Sequence, residues 1–267
     1  VSLDGRRRMS AEAEEALDGL LRTFKLPGFA AHHRDAAREA EKRNWSFTRF
    51  LKHLAEMEAE ERRARKIERL VKQSGLPGEK TLGTLDLERL PAPVRRQIPP
   101  LCEGGFVEAA ENVLAFGLPG RGKTHMVAAV GHELARKGYG VLFTPTFHLV
   151  QRLLAAKRDL ILEKELKRLD GFDVVILDDI GYVQQSREEM EVLFTFLAER
   201  YERRSVMITS NLVFSQWDRI FKDPMTTAAA IDRIVHHAHI LEMTGPSHRS
   251  EAARKRQSRG AGEKETS

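Results

Sequence analysis

The feature that most constrains this chain is a short apolar segment that leads directly into a glycine-rich loop. Residues 113–116 are apolar and of strand type, and Gly117 to Thr124 matches the pattern G-x-x-x-x-G-K-[ST]. The apolar residues that follow recur at helical spacing: Met126, Val127, Val130 and Leu134. Strand, glycine loop and helix therefore come in the order that cradles phosphate groups. The sequence predicts a binding loop for a nucleoside triphosphate.

Each residue type in the loop suits contact with a triphosphate. Glycines let backbone N–H groups face phosphate oxygens, and the start of a helix adds partial positive charge. We expect Lys123 to reach the β- and γ-phosphates and the Thr124 hydroxyl to ligate Mg²⁺. The residues predicted to bind the nucleotide here are Gly117, Pro119, Gly120, Arg121, Gly122, Lys123, Thr124 and His125.

Two carboxylates follow a second apolar run, at residues 174–177. A buried strand of this kind delivers the first carboxylate, Asp178, to the Mg²⁺ site beside Thr124. The second, Asp179, falls where a carboxylate can polarise the attacking water. Without the glycine loop some fifty residues earlier, the same pattern would indicate only a buried strand that ends in an acidic turn.

Two more polar residues are predicted to act on the nucleotide. Asn211 follows the apolar strand at 205–210, which should lie next to the Asp178 strand, and its amide would orient water near the γ-phosphate. Arg233 falls on a helical segment and would reach the nucleotide of a neighbouring subunit, stabilising charge in the transition state. Taken alone, Ser-Asn after a strand is ordinarily a turn, and a single arginine is ordinarily a surface ion pair.

Strand and helix patterns alternate through the second half of the chain. Strands are predicted at 113–116, 140–144, 173–177, 205–210 and 239–243. This alternation predicts an α/β fold with a doubly wound, mainly parallel sheet, preceded by a small all-α N-terminal domain. The predicted boundaries are a helical domain at 1–75, a Pro- and Gly-rich linker at 76–105, a nucleotide-binding domain at 106–246, and a basic, disordered tail at 247–267.

A long helix is predicted from Ser46, as N-cap, to about Gln73. Its apolar residues share one face, and basic residues spaced by three and four share the opposite face. A basic ridge of this kind is suited to track DNA phosphates. The ridge comprises Arg62, Arg65, Lys66, Arg69 and Lys72. The alternative is a solvated helix face, because glutamates are interspersed along the same helix.

Charge is unevenly distributed along the 267 residues, whose net charge is +5. Residues 1–80 carry 18 basic residues (Lys and Arg) and 14 acidic residues (Asp and Glu), and residues 246–267 carry 6 basic and 3 acidic residues. The region between them therefore has 20 basic and 22 acidic residues. Basic flanks around a nearly neutral body suit a polyanionic partner. The sequence shows no apolar run long enough to cross a bilayer, no apolar core after its basic N-terminus, and one cysteine, Cys102. These features predict a cytoplasmic protein with no membrane partner.

With these motifs in order, the chain resembles the IstB family of insertion-sequence ATP-binding proteins. These are helper ATPases of bacterial transposition, related to the bacterial helicase loaders within the AAA+ class of P-loop NTPases. The resemblance covers roughly residues 15–250. It rests on the segments Leu26-Pro27-Gly28, Gly117 to His125, Leu177 to Tyr182, Glu199-Arg200-Tyr201-Glu202, Thr209 to Leu212, Phe214 to Trp217, and Asp232 to Ala238.

The resemblance implies an activity, cofactors and partners. It implies an ATPase that uses ATP and Mg²⁺, forms homo-oligomers with ATP, and binds and bends duplex DNA largely without sequence preference. It also implies that the oligomer recruits and stimulates a transposase, and that hydrolysis drives release. By similarity, Asn211 is the first sensor, Arg233 an arginine finger in trans, and Arg249 the second sensor. Arg121 replaces a small polar residue and Asp179 a longer glutamate, which predicts slow turnover regulated by DNA or by the partner.

Three alternative functions fit parts of the same pattern. A replicative helicase loader of the same superfamily would act on single strands and on a helicase. A small-molecule kinase would use the same phosphate loop, but it would need an arginine-rich lid and an acceptor pocket. A non-hydrolysing architectural protein would bind DNA without turnover of ATP.

Overall fold

The described part of the chain divides into two units. The computed structural model describes residues 3–181, 186–212, 216–217 and 224–244. One unit extends to Glu68, and the second begins at Arg69. No helix in these described ranges is long and apolar enough to cross a membrane.

The first unit is helical, as the sequence predicts. Helices α1 (Leu3–Thr23), α2 (Pro27–Lys42) and α3 (Phe47–Gln73) follow one another, and α3 continues into the second unit. Pro27 occupies the first turn of α2, where its missing N–H costs nothing. The Ser46 hydroxyl accepts a hydrogen bond from the Arg49 backbone N–H at 3.2 Å, so Ser46 caps α3.

A buried glutamate on α3 holds the start of α2. Glu58 Oε2 accepts hydrogen bonds from the backbone N–H groups of Gly28, at 2.6 Å, and Phe29, at 3.3 Å. The other oxygen, Oε1, accepts from Arg62 Nε at 2.6 Å, and Arg62 also donates to the Lys25 carbonyl at 2.9 Å. A Cβ at position 28 would lie 2.9 Å from the Glu58 Cα, so only glycine permits this close approach.

These contacts keep Glu58 ionised. Burial alone would raise the pKa of the Glu58 carboxyl, but the hydrogen bonds from Arg62 and from the backbone of Gly28 and Phe29 lower it below its usual value. The carboxylate also satisfies N–H groups at the helix start that have no partner within α2. The Leu26-Pro27-Gly28 motif therefore serves the packing of α2 on α3.

The second unit is built on a parallel sheet of five strands. These are β1 (Asn112–Phe116), β2 (Val141–Pro145), β3 (Val174–Asp178), β4 (Ser205–Ser210) and β5 (Ala238–Glu242). Their order in the sheet is β2-β3-β4-β1-β5, and every neighbouring pair is parallel. All five predicted strands are confirmed to within one residue. The predicted pairing of the Asp178 strand with the Asn211 strand is also confirmed.

Helices cover both faces of the sheet. They are α4 (Ala92–Glu103), α5 (Gly105–Glu108), α6 (Lys123–Lys137), α7 (Thr146–Arg158), α8 (Leu162–Asp170), α9 (Arg187–Arg200) and α10 (Pro224–Val235). On β1, Val113 and Ala115 belong to a buried cluster with α4 and α6, whereas Leu114 and Phe116 belong to a second cluster with α7, α9 and α10. Alternate strand residues point to opposite faces, so the sheet is doubly wound.

The segment predicted as an irregular linker, 76–105, is corrected by the structure. Residues 92–103 form helix α4, and Val94, Ile98 and Leu101 lie buried in the core of the second unit. Pro99 and Pro100 stand inside this helix. A proline in a helix interior costs about 3 kcal/mol, but each buried aliphatic side chain contributes about 1.5–3 kcal/mol. Burial of the three aliphatic side chains therefore offsets the free-energy cost of the two prolines. The same prolines are the reason why the sequence predicts a linker here.

A buried arginine joins the amino ends of two central strands. The Arg200 guanidinium donates to the backbone carbonyls of Leu169, Phe172, Asp173 and Ser205 at 2.9–3.1 Å. Burial lowers the pKa of Arg200 to about 10, so the side chain stays charged at neutral pH. Its hydrogen bonds fix the turns that precede β3 and β4.

Replacing Glu58 tests the packing of the first unit. We expect Glu58→Gln to lower the free energy of unfolding by about 2 kcal/mol at pH 7, because the charge-assisted hydrogen bonds are lost. The folded-state pKa of Glu58 lies below the unfolded one. Its contribution is therefore present above the unfolded pKa and is lost as the pH falls through the folded value.

The measurement is urea unfolding by circular dichroism between pH 7 and pH 3, where wild type and variant should converge at the acid end. The control is Glu56→Gln, which removes an exposed pair with Lys52 on the same helix and should change stability by less than about 1 kcal/mol. Equal effects of the two substitutions would contradict the role of Glu58.

Candidate nucleotide-binding site

The glycine loop connects β1 to α6 with a backbone that other residues would not adopt. Gly122 stands just before α6 with a φ of 85°, and Gly120 has a φ of 79°. Gly117 passes so close to the chain after β5 that a Cβ there would overlap the Met243 carbonyl oxygen. The loop thus depends on glycine at the positions that the motif specifies.

Lys123 opens helix α6 and is buried beneath the loop. Its Nζ donates to the carbonyl oxygens of Gly117, at 2.5 Å, and Leu118, at 3.1 Å. These contacts hold the ammonium group inside the loop, where a phosphate chain would lie. Lys123 therefore lies inside the loop, and its contact with the β- and γ-phosphates stays a prediction.

Asp178 receives two hydroxyl donors at one carboxylate oxygen. Its Oδ1 accepts from Thr124 Oγ1 at 2.8 Å and from Thr209 Oγ1 at 2.7 Å. Thr209 Oγ1 in turn accepts from the Asp179 backbone N–H at 2.8 Å. The structure thus brings together Thr124 and Asp178, the predicted Mg²⁺ ligands.

The chemistry of this pair fits magnesium. A hydroxyl and a carboxylate are hard oxygen donors, which Mg²⁺ prefers and which need only one or two protein positions when phosphates and water complete the shell. Asp178 Oδ2 accepts no hydrogen bond from any described residue, which leaves an oxygen for an ion. Thr209 is not among the predicted site residues, although a hydroxyl at the end of an otherwise apolar strand beside Asp178 indicates such a role.

Asp179 turns out of the strand into the cavity. Its φ of 63° is in the left-handed region, which non-glycine residues adopt rarely and aspartate more readily than most. This turn lets Asp179 line the cavity beside the loop while Asp178 stays at the strand end. The two adjacent carboxylates therefore occupy different positions, as the sequence predicts.

Asn211 lines the same cavity from the end of β4. Its Oδ1 is buried and has no hydrogen-bond partner among the described residues. An unpaired buried amide oxygen is costly, and it is satisfied when a water or ligand group donates to it. A Cβ at Gly181 would overlap this oxygen, so Gly181 is required for the position of Asn211. The sequence motifs do not indicate this role of Gly181.

The cavity measures about 390 Å³, within the usual range for small-ligand sites. One side is the loop with Asp179, Thr209 and Asn211. The other side comes from the segment between α3 and α4, which the sequence analysis predicted to be a linker. This second wall comprises Lys80, Thr84, Leu85, Asp86 and Leu90. Two apolar side chains and polar neighbours opposite a phosphate loop form a surface suited to a nucleoside.

His125 joins the two sides of the cavity. Its Nε2 lies 3.1 Å from Thr84 Oγ1 and 3.2 Å from the Thr81 carbonyl oxygen. His125, which the sequence predicts to bind the nucleotide as part of the loop, therefore contacts the second wall. His125 lines the cavity and fixes the wall relative to the start of α6.

Arg121 also lines the cavity, and its Nη1 donates to the Met243 carbonyl oxygen at 3.2 Å. This contact draws the guanidinium toward the chain that follows β5. The predicted loop residue Pro119 lines the cavity as well.

Arg233 does not line this cavity. It lies on α10, with its guanidinium carbon 4.9 Å from the centre of the Phe194 ring, and its Nη1 is buried without a partner among the described residues. Arg249 and the predicted basic tail lie outside the described residues.

The basic residues of α3 differ in how much of their charge is engaged. Arg62 is bound to Glu58 and to the Lys25 carbonyl, and Arg65 Nη2 lies 3.2 Å from Glu61 Oε2. Lys66, Arg69 and Lys72 are exposed and form no ion pair with any residue that the structure describes. The predicted ridge is therefore strongest toward the end of α3.

Comparison with known proteins agrees with this geometry. An insertion sequence ATP-binding protein of Sinorhizobium fredii is 42% identical over 241 residues, which cover 90% of this chain and 81% of that protein. The IS21 ATP-binding protein of Pseudomonas aeruginosa is 36% identical over 239 residues, covering 90% of each chain.

Solved structures establish the fold class. The crystal structure of DnaI has a TM-score of 0.53 at 24% identity, covering 64% of this chain and 96% of DnaI. The replication initiator DnaA, bound to AMPPCP and single-stranded DNA, has a TM-score of 0.55 at 16% identity, and the match covers 65% of this chain and 52% of DnaA. The predicted α/β fold with a parallel sheet, preceded by helices, is confirmed. The family model of the IstB-like ATP binding proteins matches residues 19–258, and this chain belongs to that family.

Proposed function

We propose that this chain is an ATP-dependent helper of DNA transposition. It binds ATP with Mg²⁺, forms homo-oligomers on duplex DNA, bends that DNA, and recruits and stimulates a transposase; ATP hydrolysis then releases the assembly. The observation that carries the proposal is the junction of Asp178 with Thr124 and Thr209 below the loop, with Asp179 and Asn211 at the same cavity. The relatives' names, as ATP-binding proteins of insertion sequences, support the same function.

The residues of the cavity divide the chemistry among them. Thr124 and Asp178 would hold Mg²⁺, which supplies positive charge against the phosphate oxygens when bound. Lys123 exchanges its two carbonyl acceptors for charged phosphate oxygens, which bind an ammonium group more strongly. Its charge then offsets the negative charge that develops during phosphoryl transfer.

Asp179 and Asn211 act on the attacking water. The Asp179 carboxylate takes up a proton from that water as it attacks, which is general-base catalysis. The unpaired Asn211 Oδ1 accepts a hydrogen bond from the same water and orients it. Arg121 adds a second positive charge beside the loop, and its contact with Met243 must adjust to the phosphates, which supports slow turnover.

Oligomerisation would complete the site. Arg233 does not line its own cavity, and its buried Nη1 has no partner among the described residues, so the side chain can turn outward to the nucleotide of a neighbouring copy without breaking a described hydrogen bond of that atom. A guanidinium supplied in this way stabilises the charge of the transition state. Arg249 would serve as a second sensor by similarity alone.

DNA would bind along α3, chiefly through Lys66, Arg69 and Lys72. Their unpaired charges can displace counterions from phosphates at low cost. Arg62 and Arg65 add to the local positive potential, but they are held by glutamates. We assign DNA binding to the helical region 1–75, nucleotide turnover to 106–246, and a cytoplasmic location to the whole protein.

Loss of the loop lysine should abolish the nucleotide-dependent assembly. We expect Lys123→Ala to remain monomeric with saturating Mg-ATP, since the triphosphate loses its main charged contact. Analytical ultracentrifugation with and without ATP measures this. Lys137→Ala is the matched control, because it removes an exposed lysine from the other end of α6 and should assemble as the wild type does. Assembly of the Lys123 variant would refute the proposal.

Removal of the Asp179 charge should slow hydrolysis and keep nucleotide binding. Asn tolerates the left-handed backbone, so Asp179→Asn preserves the turn. We expect turnover to fall on the order of 10²-fold or more, the usual contribution of a general base. Release from DNA should slow in parallel.

The assay is ATP hydrolysis with duplexes of varied length, with single strands, and without DNA. Glu163→Gln is the control, since Glu163 is an exposed carboxylate on α8 that does not line the cavity. Unchanged turnover in the Asp179 variant would favour an architectural protein that does not hydrolyse ATP. Stimulation by single strands instead of duplexes would favour a helicase loader.

Neutralising the free end of the ridge should weaken DNA binding. We expect a Lys66→Gln, Arg69→Gln, Lys72→Gln variant to bind duplex DNA of any sequence less tightly. The slope of the logarithm of the binding constant against the logarithm of the salt concentration should become shallower by up to about 0.9 per lost phosphate contact. Fluorescence anisotropy between low and high salt measures both quantities. The control variant carries Lys164→Gln, Lys167→Gln and Arg168→Gln on α8. An unchanged slope in the variant of α3 would mean that DNA binds to another surface of the protein.

A further inference from the structure

Parts of two motifs that carry the family resemblance have no role assigned in the nucleotide site, and the structure brings these parts together. Glu199 to Glu202 ends α9 and leads into β4, while His236 and His237 connect α10 to β5. Both connections lie at the amino ends of strands that flank β1, the end of the sheet opposite the glycine loop. Tyr201 Oη lies 2.8 Å from His236 Nδ1.

Three potential metal ligands meet there. One ligand atom from each of Glu202, His236 and His237 lies within 4.8 Å of the others. His236 Nδ1 and His237 Nε2 are each 3.9 Å from Glu202 Oε1, and the centres of the two imidazole rings are 4.0 Å apart. All three side chains are exposed, so an ion can enter from solvent.

The distances fit an ion between the ligands better than direct contact. A separation of 3.9 Å is too long for a hydrogen bond. Metal–ligand bonds of about 2.0–2.2 Å place two ligands of one tetrahedral zinc ion about 3.3–3.6 Å apart. Both histidine–carboxylate distances exceed that range by only a few tenths of an ångström, so small side-chain rotations bring the three ligands onto one ion.

The backbone and the neighbouring tyrosine hold the ligands in this arrangement. Glu202 has a φ of 55°, a left-handed backbone conformation that residues other than glycine adopt rarely. The Tyr201 hydroxyl, 2.8 Å from His236 Nδ1, fixes the orientation of this imidazole ring, and an ion that ligates Nδ1 takes the place of the hydroxyl. Tyr201 therefore acts as a positioning residue for the ring.

We propose that Glu202, His236 and His237 form a binding site for a divalent transition metal ion of the zinc class. Two imidazoles and one carboxylate suit Zn²⁺, Co²⁺ or Ni²⁺, whereas Mg²⁺ requires hard oxygen ligands. The site is thus chemically separate from the Thr124–Asp178 pair. Three protein ligands leave one tetrahedral position open to water or to a further ligand. The ion would fix the end of α10, three residues after Arg233.

Cobalt titration tests the site. The full chain without a histidine tag is stripped with a chelator, freed of nucleotide, and titrated with Co²⁺ while its visible ligand-field absorption is followed. We expect one equivalent per chain, with affinity reduced on the order of tenfold or more in Glu202→Gln and again in His237→Ala. Zn²⁺ should raise the melting temperature of the wild type and not of the Glu202→Gln, His236→Ala, His237→Ala variant.

His32→Ala is the matched control, because His32 pairs with Glu61 at 2.9 Å and belongs to no cluster of three potential metal ligands among the described residues. This variant should bind Co²⁺ as the wild type does, and circular dichroism should show that all variants are folded. A wild type without saturable absorption, or a triple variant that binds Co²⁺ as tightly as the wild type, would overturn the proposal.

Discussion

The carboxylate of Asp178 links three elements that are distant in the sequence, and the nucleotide site depends on this link. Its Oδ1 accepts hydrogen bonds from Thr124 at the start of α6 and from Thr209 on β4, while Asp178 itself ends β3. Because one oxygen serves both hydroxyls, the loop, the acidic turn and the neighbouring strand take up a single arrangement. The cavity residues Asp179 and Asn211 inherit their positions from it.

Much of the second unit could be predicted from the sequence, because central parallel strands are buried on both faces and appear as continuous apolar runs. The glycine loop and the two acids after β3 were therefore predicted with their neighbours. Helix α4 was not, because Pro99 and Pro100 suggested a loop more strongly than the spacing of Val94, Ile98 and Leu101 suggested a helix. Burial, which decides between the two, is a property of the folded chain.

The sequence predicts those residues of the candidate site that belong to local motifs. It does not predict the contacts that form between segments distant in the chain. Nothing in the pattern around Gly181 indicates that the Asn211 amide passes above it, and nothing in residues 80–90 indicates a cavity wall. The predicted ridge on α3 shows the converse. Helical spacing placed Arg62 correctly on the helix, but its commitment to Glu58 depends on the approach of α2.

The wall formed by residues 80–90 bears on where the nucleotide-binding body begins. A fragment cut at residue 106 would remove that wall, the partners of His125, and the side chains of α4 that cover the buried face of α6. Such a fragment would expose aliphatic surface and would be prone to aggregate. The smallest piece able to fold around a nucleotide therefore starts before residue 80, and residues 80–103 belong to the second unit as much as its sheet does.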